Sequence, residues 1–166
     1  MFPAIGAQAA GKYTIGAVYN PDGSVMTSLA IRDVGALVTK GVARCLSDAG
    51  LKVSIADSGT PGSAFTLATD IESISVDKHF AAQQTIHGQY FTMTSEVKLR
   101  FTLSSSGHPT LYTVVTTGNE TEPPAPVGGE DFLPLETEPA ESLSVAMSRA
   151  IGALVLQPQF RQALAN

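Results

Sequence analysis

The chain has 166 residues, 43% of them apolar and only 15% charged, with a net charge of −5 and a single cysteine. That length suits one domain with a sizeable core. The acidic balance without a basic cluster speaks against nucleic acid and anionic membrane surfaces, and the lone cysteine excludes an internal disulfide or a zinc cage of several thiolates. No stretch is long and apolar enough to span a bilayer.

Residues 1–11 are small and Gly/Ala-rich and read as a flexible lead-in to one α/β domain over residues 12–166. Met1-Phe2-Pro3-Ala4-Ile5-Gly6-Ala7 lacks the basic n-region of a signal peptide. Tyr13 to Tyr19 alternates weakly, as a strand does. Asn20-Pro21-Asp22-Gly23 is a turn, because proline presets one central φ and glycine supplies a positive one. Around Leu29 the period changes. Val34, Val38, Gly41, Val42, Cys45 and Ala49 then recur at helical spacing, flanked by Ile31, Leu37 and Leu46. Gly50 sits where a left-handed C-terminal cap is expected. Leu51, Val53 and Ile55 alternate, which predicts a strand and, with the preceding strand and helix, a βαβ unit.

Asp57 to Ser63 is a Gly/Pro/Ser loop. Phe65, Leu67, Thr69 and Ile71 alternate on odd numbers, whereas Ile74 and Val76 continue on even ones. A β-bulge near Glu72-Ser73 would return both sets to one face. His79 to Gln84 is expected to connect to the next strand. The clearest signal in the chain is Phe91 to Leu103. Phe91, Met93, Val97, Leu99, Phe101 and Leu103 share one side, interrupted only by Ser95, while Thr92, Thr94, Glu96, Lys98, Arg100 and Thr102 share the other. Successive side chains of a strand point to opposite faces, so this strand has one dry and one wet face. The sheet it belongs to is therefore covered on one side only. Ser104 to Pro109 is a further turn, and Leu111 to Thr117 a third long strand of a meander.

Gly118 to Glu138 holds Pro123, Pro124, Pro126 and Pro134, six acidic residues and no basic one, and is expected to be an extended loop. Pro139 suits a first helical turn with Glu141 beside it, and Leu143, Met147, Ala150, Ile151 and Leu154 repeat at helical spacing. Pro158 opens a short last helix with Phe160 and Leu164. The expected fold is a two-layer α/β sandwich of the α+β type: a mostly antiparallel mixed sheet with two long helices on one face.

Motifs with chemical content are weak. Gly6-Ala7-Gln8-Ala9-Ala10-Gly11-Lys12 matches most of a P-loop. Tyr13 stands where the Mg²⁺-binding Ser or Thr belongs, and a strand follows where a helix should. His79, His87 and His108 lie at strand ends or turns; His79 and His87 could share a metal across one connection, but no third ligand is evident. Cys45 falls on the apolar helix face as a small hydrophobe, with no histidine placed beside it. The carboxylates of the acidic stretch do not follow an EF-hand pattern, Asn119-Glu120-Thr121 is a bare glycosylation sequon, and G-x-S-x-G is absent. No catalytic, cofactor or metal residue is assigned.

Several features together resemble the YajG-like family of uncharacterised bacterial lipoproteins. These are Ile15-Gly16-Ala17-Val18-Tyr19-Asn20 with Gly23, the helix ending Leu46…Gly50-Leu51-Lys52-Val53, the long alternating strands, and a terminal helix followed by Phe160…Ala163-Leu164. The resemblance spans roughly residues 12–164. It implies a periplasmic or outer-membrane-associated protein tethered through a lipidated N-terminal cysteine. Cys45, inside a helix, does not correspond to that residue, so an anchor of the kind the resemblance implies would have to lie outside this chain. It brings no catalytic residues. The expected function is a non-enzymatic envelope domain that binds or scaffolds another envelope protein. The alternatives are a small-molecule binder with a pocket between sheet and helices and, last, a hydrolase of unknown type.

Overall fold

The structure, a computed structural model, describes residues 12–55, 65–85, 88–105, 108–127 and 137–165. Its elements run β1 (Lys12–Tyr19), β2 (Val25–Arg32), α1 (Val34–Asp48), β3 (Phe65–Thr85), β4 (Gly88–Ser105), β5 (His108–Val127), α2 (Thr137–Val155) and α3 (Pro158–Ala165). The strands form one mixed sheet in the order β2-β1-β3-β4-β5. The pairs β1–β2, β3–β4 and β4–β5 are antiparallel, and β1 pairs parallel with β3 from Gly16↔Val76 to Tyr19↔His79. This is the expected α+β architecture, with helices on one face.

The alternation in β4 decides which face that is. Phe91, Met93, Ser95, Val97, Leu99, Phe101 and Leu103 are all buried, whereas Thr92, Thr94, Glu96 and Arg100 are exposed. The dry face meets Leu143, Ala146, Met147, Ala150, Ile151 and Leu154 of α2 and Val34, Val38, Val42 and Leu46 of α1. Burying a Leu or Phe side chain contributes roughly 1.5–3 kcal/mol, so this row dominates the stability of the fold. The bulge also lies where the phase slip puts it. Ile71 pairs with Leu99 and Ser73 with Lys98, which leaves Glu72 as the extra residue.

Helix α2 lies unusually close to β5, and small residues are the reason. A Cβ on Gly118 would stand 1.8 Å from the Ala146 carbonyl oxygen and 2.5 Å from the Ala150 nitrogen. Around this contact the Thr116 hydroxyl donates to the Ala150 carbonyl at 2.6 Å, and Ser95 Oγ meets Ser142 Oγ at 2.7 Å. Ser95, the one break in the apolar row of β4, is therefore a buried hydroxyl satisfied by the helix above it. Arg149 adds an ion pair with Glu120 and a hydrogen bond to the Asn119 carbonyl.

Four expectations are corrected. Residues 51–55 form no strand, and the parallel neighbour of β1 is β3. Gly50 does cap α1, at φ 85°, and the Gly50 N–H to Ser47 O and Leu51 N–H to Leu46 O bonds make a Schellman motif. That motif turns Leu51 and Val53 back onto the core, so their alternation reflects capping and anchoring without pairing. Second, β2 intervenes before the helix: the Asn20–Gly23 turn closes a hairpin, with Gly23 at φ 82°. Third, Gly118–Val127 continues β5 where a loop is expected, while residues 128–136 lie outside the described residues. Prolines are compatible with a strand at a sheet edge or a bulge, and both apply here. β5 is the terminal strand, and Pro123-Pro124 fall in the register shift between Phe91↔Ala125 and Met93↔Glu122. β3 likewise runs unbroken through His79–Thr85. Fourth, Cys45 is half-buried at the rim of the helix, and Leu46 takes the core position.

Candidate functional site: the open face of the sheet

Helices cover one side of the sheet, so the polar side chains of three long strands form a broad outer face. The strand register orders them into rows. Thr94 lies between Asp77 and Thr121, Glu96 between Ser75 and Asn119, Lys98 between Ser73 and Thr117, and Arg100 between Asp70 and Val115. Because Glu72 is the bulged residue, its carboxylate swings onto this face and reaches two cations. Lys98 Nζ is 3.0 Å away, and the Arg100 guanidinium closes on the other oxygen. The Lys98 hydrogen bond first, then that of Arg100, holds the Glu72 carboxyl below the usual carboxylate range. Exposed ion pairs stabilise a fold little, so this cluster mainly fixes where the charges point.

At the β1 end of the same face, Tyr19 and His79 stack with ring centroids 4.4 Å apart and planes 4° from parallel. The Asp77 carboxylate beside them accepts the Ala17 N–H at 3.2 Å. Between β3 and β5 the face dips into a polar hollow of about 300 Å³ lined by Ser75, Thr94, Glu96, Asn119 and Thr121. The rows of hydroxyls, amide and mixed charges supply hydrogen-bond donors and acceptors across this face.

The residues singled out in the sequence are not brought together. His79 is on the outer face near the β1 end, whereas His108 opens β5 at the opposite end of the meander, paired with Ser105. His87, and residues 6–11 of the P-loop near-match, lie outside the described residues; Lys12 begins β1. Cys45 is on α1, separated from His79 by the sheet. Its thiol pKa is pushed up, by burial first and by Asp48 second. Among the described residues no three His, Cys, Asp or Glu side chains gather as metal ligands, and no helix is long and apolar enough to cross a membrane.

Two features escape a sequence reading. Lys78 is buried on the helix side, its ammonium 3.7 Å from the ring centroid of Phe91 and 5.7 Å from that of Phe80. The cation–π attraction offsets part of the cost of removing the charge from water. The even-numbered phase of Ile74 and Val76, continued two residues, is the signal that points to it. The second feature is a recess of about 600 Å³ between β1, β2 and the first turn of α2, lined by Ile15, Leu29, Ile31, Arg32, Pro139 and Leu143.

No family model and no curated protein matches the sequence. Among solved structures the chain is similar to a Xanthomonas campestris protein of the DUF330 family model. The TM-score is 0.46 and the identity 11%, over 90% of this chain and 82% of that one. It is also similar to a minor lipoprotein from Acinetobacter baumannii, with a TM-score of 0.42 and 8% identity, over 90% of this chain and 93% of that one.

Proposed function

We propose that this chain is a non-enzymatic, lipoprotein-like domain of the bacterial envelope that binds or scaffolds another envelope protein through the outer face of its sheet. The observation that carries this reading is the set of exposed polar rows on β3, β4 and β5, with Lys98 and Arg100 held in place by Glu72. A face whose charges are already oriented loses less side-chain entropy when a partner docks. The resemblance of the sequence to YajG-like lipoproteins supports the compartment. A photo-crosslinker at Thr94 or Thr102, carried in the native envelope, should yield one adduct of defined mass, and the same probe at Val145 on α2 should not. Equal adduct patterns from both sides of the molecule would overturn the assignment of the face.

A second reading rests on the recess beside β2, whose volume falls in the range of small-ligand sites. It makes the domain a binder of a small molecule with both apolar and polar groups, since Thr27, Ser28 and Arg32 line the recess beside its apolar residues. Ala140→Trp, at an exposed position lining that recess, would fill the space and abolish such binding without touching the outer face.

A further inference from the structure

The two edges of the sheet are built very differently. The β5 edge carries Pro109, Pro123, Pro124 and Pro126 with Glu120 and Glu122. Proline and charge are the usual means of keeping an edge from pairing. The β2 edge has no proline, and its one charge is the terminal Arg32: Val25-Met26-Thr27-Ser28-Leu29-Ala30-Ile31 ahead of it is uncharged. Val25 and Met26 are 57% and 49% exposed, a large apolar exposure at one end of a strand. Among the described strands it is terminal, so half of its backbone donors and acceptors have no strand partner there.

We infer that β2 is a pairing edge through which a second copy of this chain adds antiparallel, about a two-fold axis at Ser28. Charge placement selects this occupant and this register. Arg32 sits beside Lys12 in the β1–β2 ladder, so its nearest charged neighbour in register has the same sign. Pairing about Ser28 sets Arg32 of one copy opposite Ser24 of the other. The Asp22 carboxylate lies over that Ser24, accepting its N–H at 2.9 Å and its hydroxyl at 2.6 Å. Each Arg32 thus meets an acid already held in place, twice over by symmetry. The same register sets Val25 against Ile31 and puts no like charges opposite each other. An isologous contact of this kind is self-complementary and closes at two copies. The edge contact is small, so association is reversible and concentration-dependent.

Sedimentation of the full chain over a range of concentrations tests this. Wild type should pass from monomer to dimer and stop there. Ser28 is exposed, so Ser28→Lys and Ser28→Glu should each fold with unchanged thermal stability and stay monomeric, since each sets like charges on the axis. Mixed together, the two variants should form a heterodimer. In a Cys45→Ser background, Ser28→Cys should oxidise to a dimer joined by a disulfide across the axis. A wild type that is monomeric throughout, or a dimer that survives Ser28→Lys, would overturn the proposal. So would crosslinking from position 28 to a protein of different mass in place of a second copy.

Discussion

Replacing Gly118 by alanine tests the seam between α2 and β5. The added Cβ would stand 1.8 Å from the Ala146 carbonyl oxygen, against a normal carbon–oxygen approach of about 3.3 Å, so the helix must retreat by about 1.5 Å. The obstacle is main-chain, so no rotamer change relieves it. A retreat of that size stretches the 2.6 Å bond from Thr116 to the Ala150 carbonyl and the 2.7 Å Ser95–Ser142 contact beyond hydrogen-bonding range. Overpacking costs about 1–3 kcal/mol, and each buried hydrogen bond lost costs roughly 1 kcal/mol more. The sum predicts a loss of about 3–5 kcal/mol, measured by urea unfolding with two-state analysis. Ala146→Gly in the same chain should not rescue it, because the carbonyl remains. Gly152→Ala is the control: it lies in α2 with nothing within 4 Å of its added Cβ, and should stabilise by up to about 1 kcal/mol through helix propensity. If Gly118→Ala falls within about 0.5 kcal/mol of wild type, the close seam and the argument from it are wrong.

Leu99→Ala, at a fully buried site, should cost about 2–5 kcal/mol, while Lys98→Ala beside it should stay within about 0.5 kcal/mol. Equal losses would mean that both faces of the sheet are buried. Lys98→Glu with Arg100→Glu should leave the fold assembled but abolish the adduct from a probe at Thr94, as read by denaturation and crosslinking together. The Glu72 carboxyl lies below its unfolded value, so its ion pairs stabilise at neutral pH and fade as the solution is acidified through that lowered value. Stability curves of wild type and Glu72→Gln should therefore differ at neutral pH and converge in acid; a gap that widens on acidification would refute the pairing. Cys45, half-buried and with its thiol pKa raised, should react slowly with maleimide near neutrality and promptly on unfolding. Equal rates in both states would contradict its packing.

Period and turn chemistry, which are local, were readable from the residues. The alternation of Phe91 to Leu103 determined which face is dry. The odd-to-even slip at Ile71 and Ile74 determined the bulge at Glu72, and the spacing of Leu143 to Leu154 determined the buried face of α2. Each depends only on the geometry of a single element, and a side-chain period survives whatever the element packs against. Partner choice could not be read in this way. Leu51 and Val53 alternate like a strand, yet the Schellman cap of α1 directs them onto the core. Pro123, Pro124 and Pro126 look like a loop until β5 proves to be an edge, where outward positions lack a hydrogen-bonding neighbour. Gly118 looks like the start of that loop and is the point where a helix backbone touches the sheet. Ser95 looks like a flaw in an apolar row until Ser142 arrives from 47 residues away. The sequence by itself determined the dry face of β4, the buried face of α2 and the bulge in β3. Only the tertiary structure decided that β2 and β5 are the terminal strands of the described sheet, because neighbours in the sheet are set by long-range packing that no local pattern encodes.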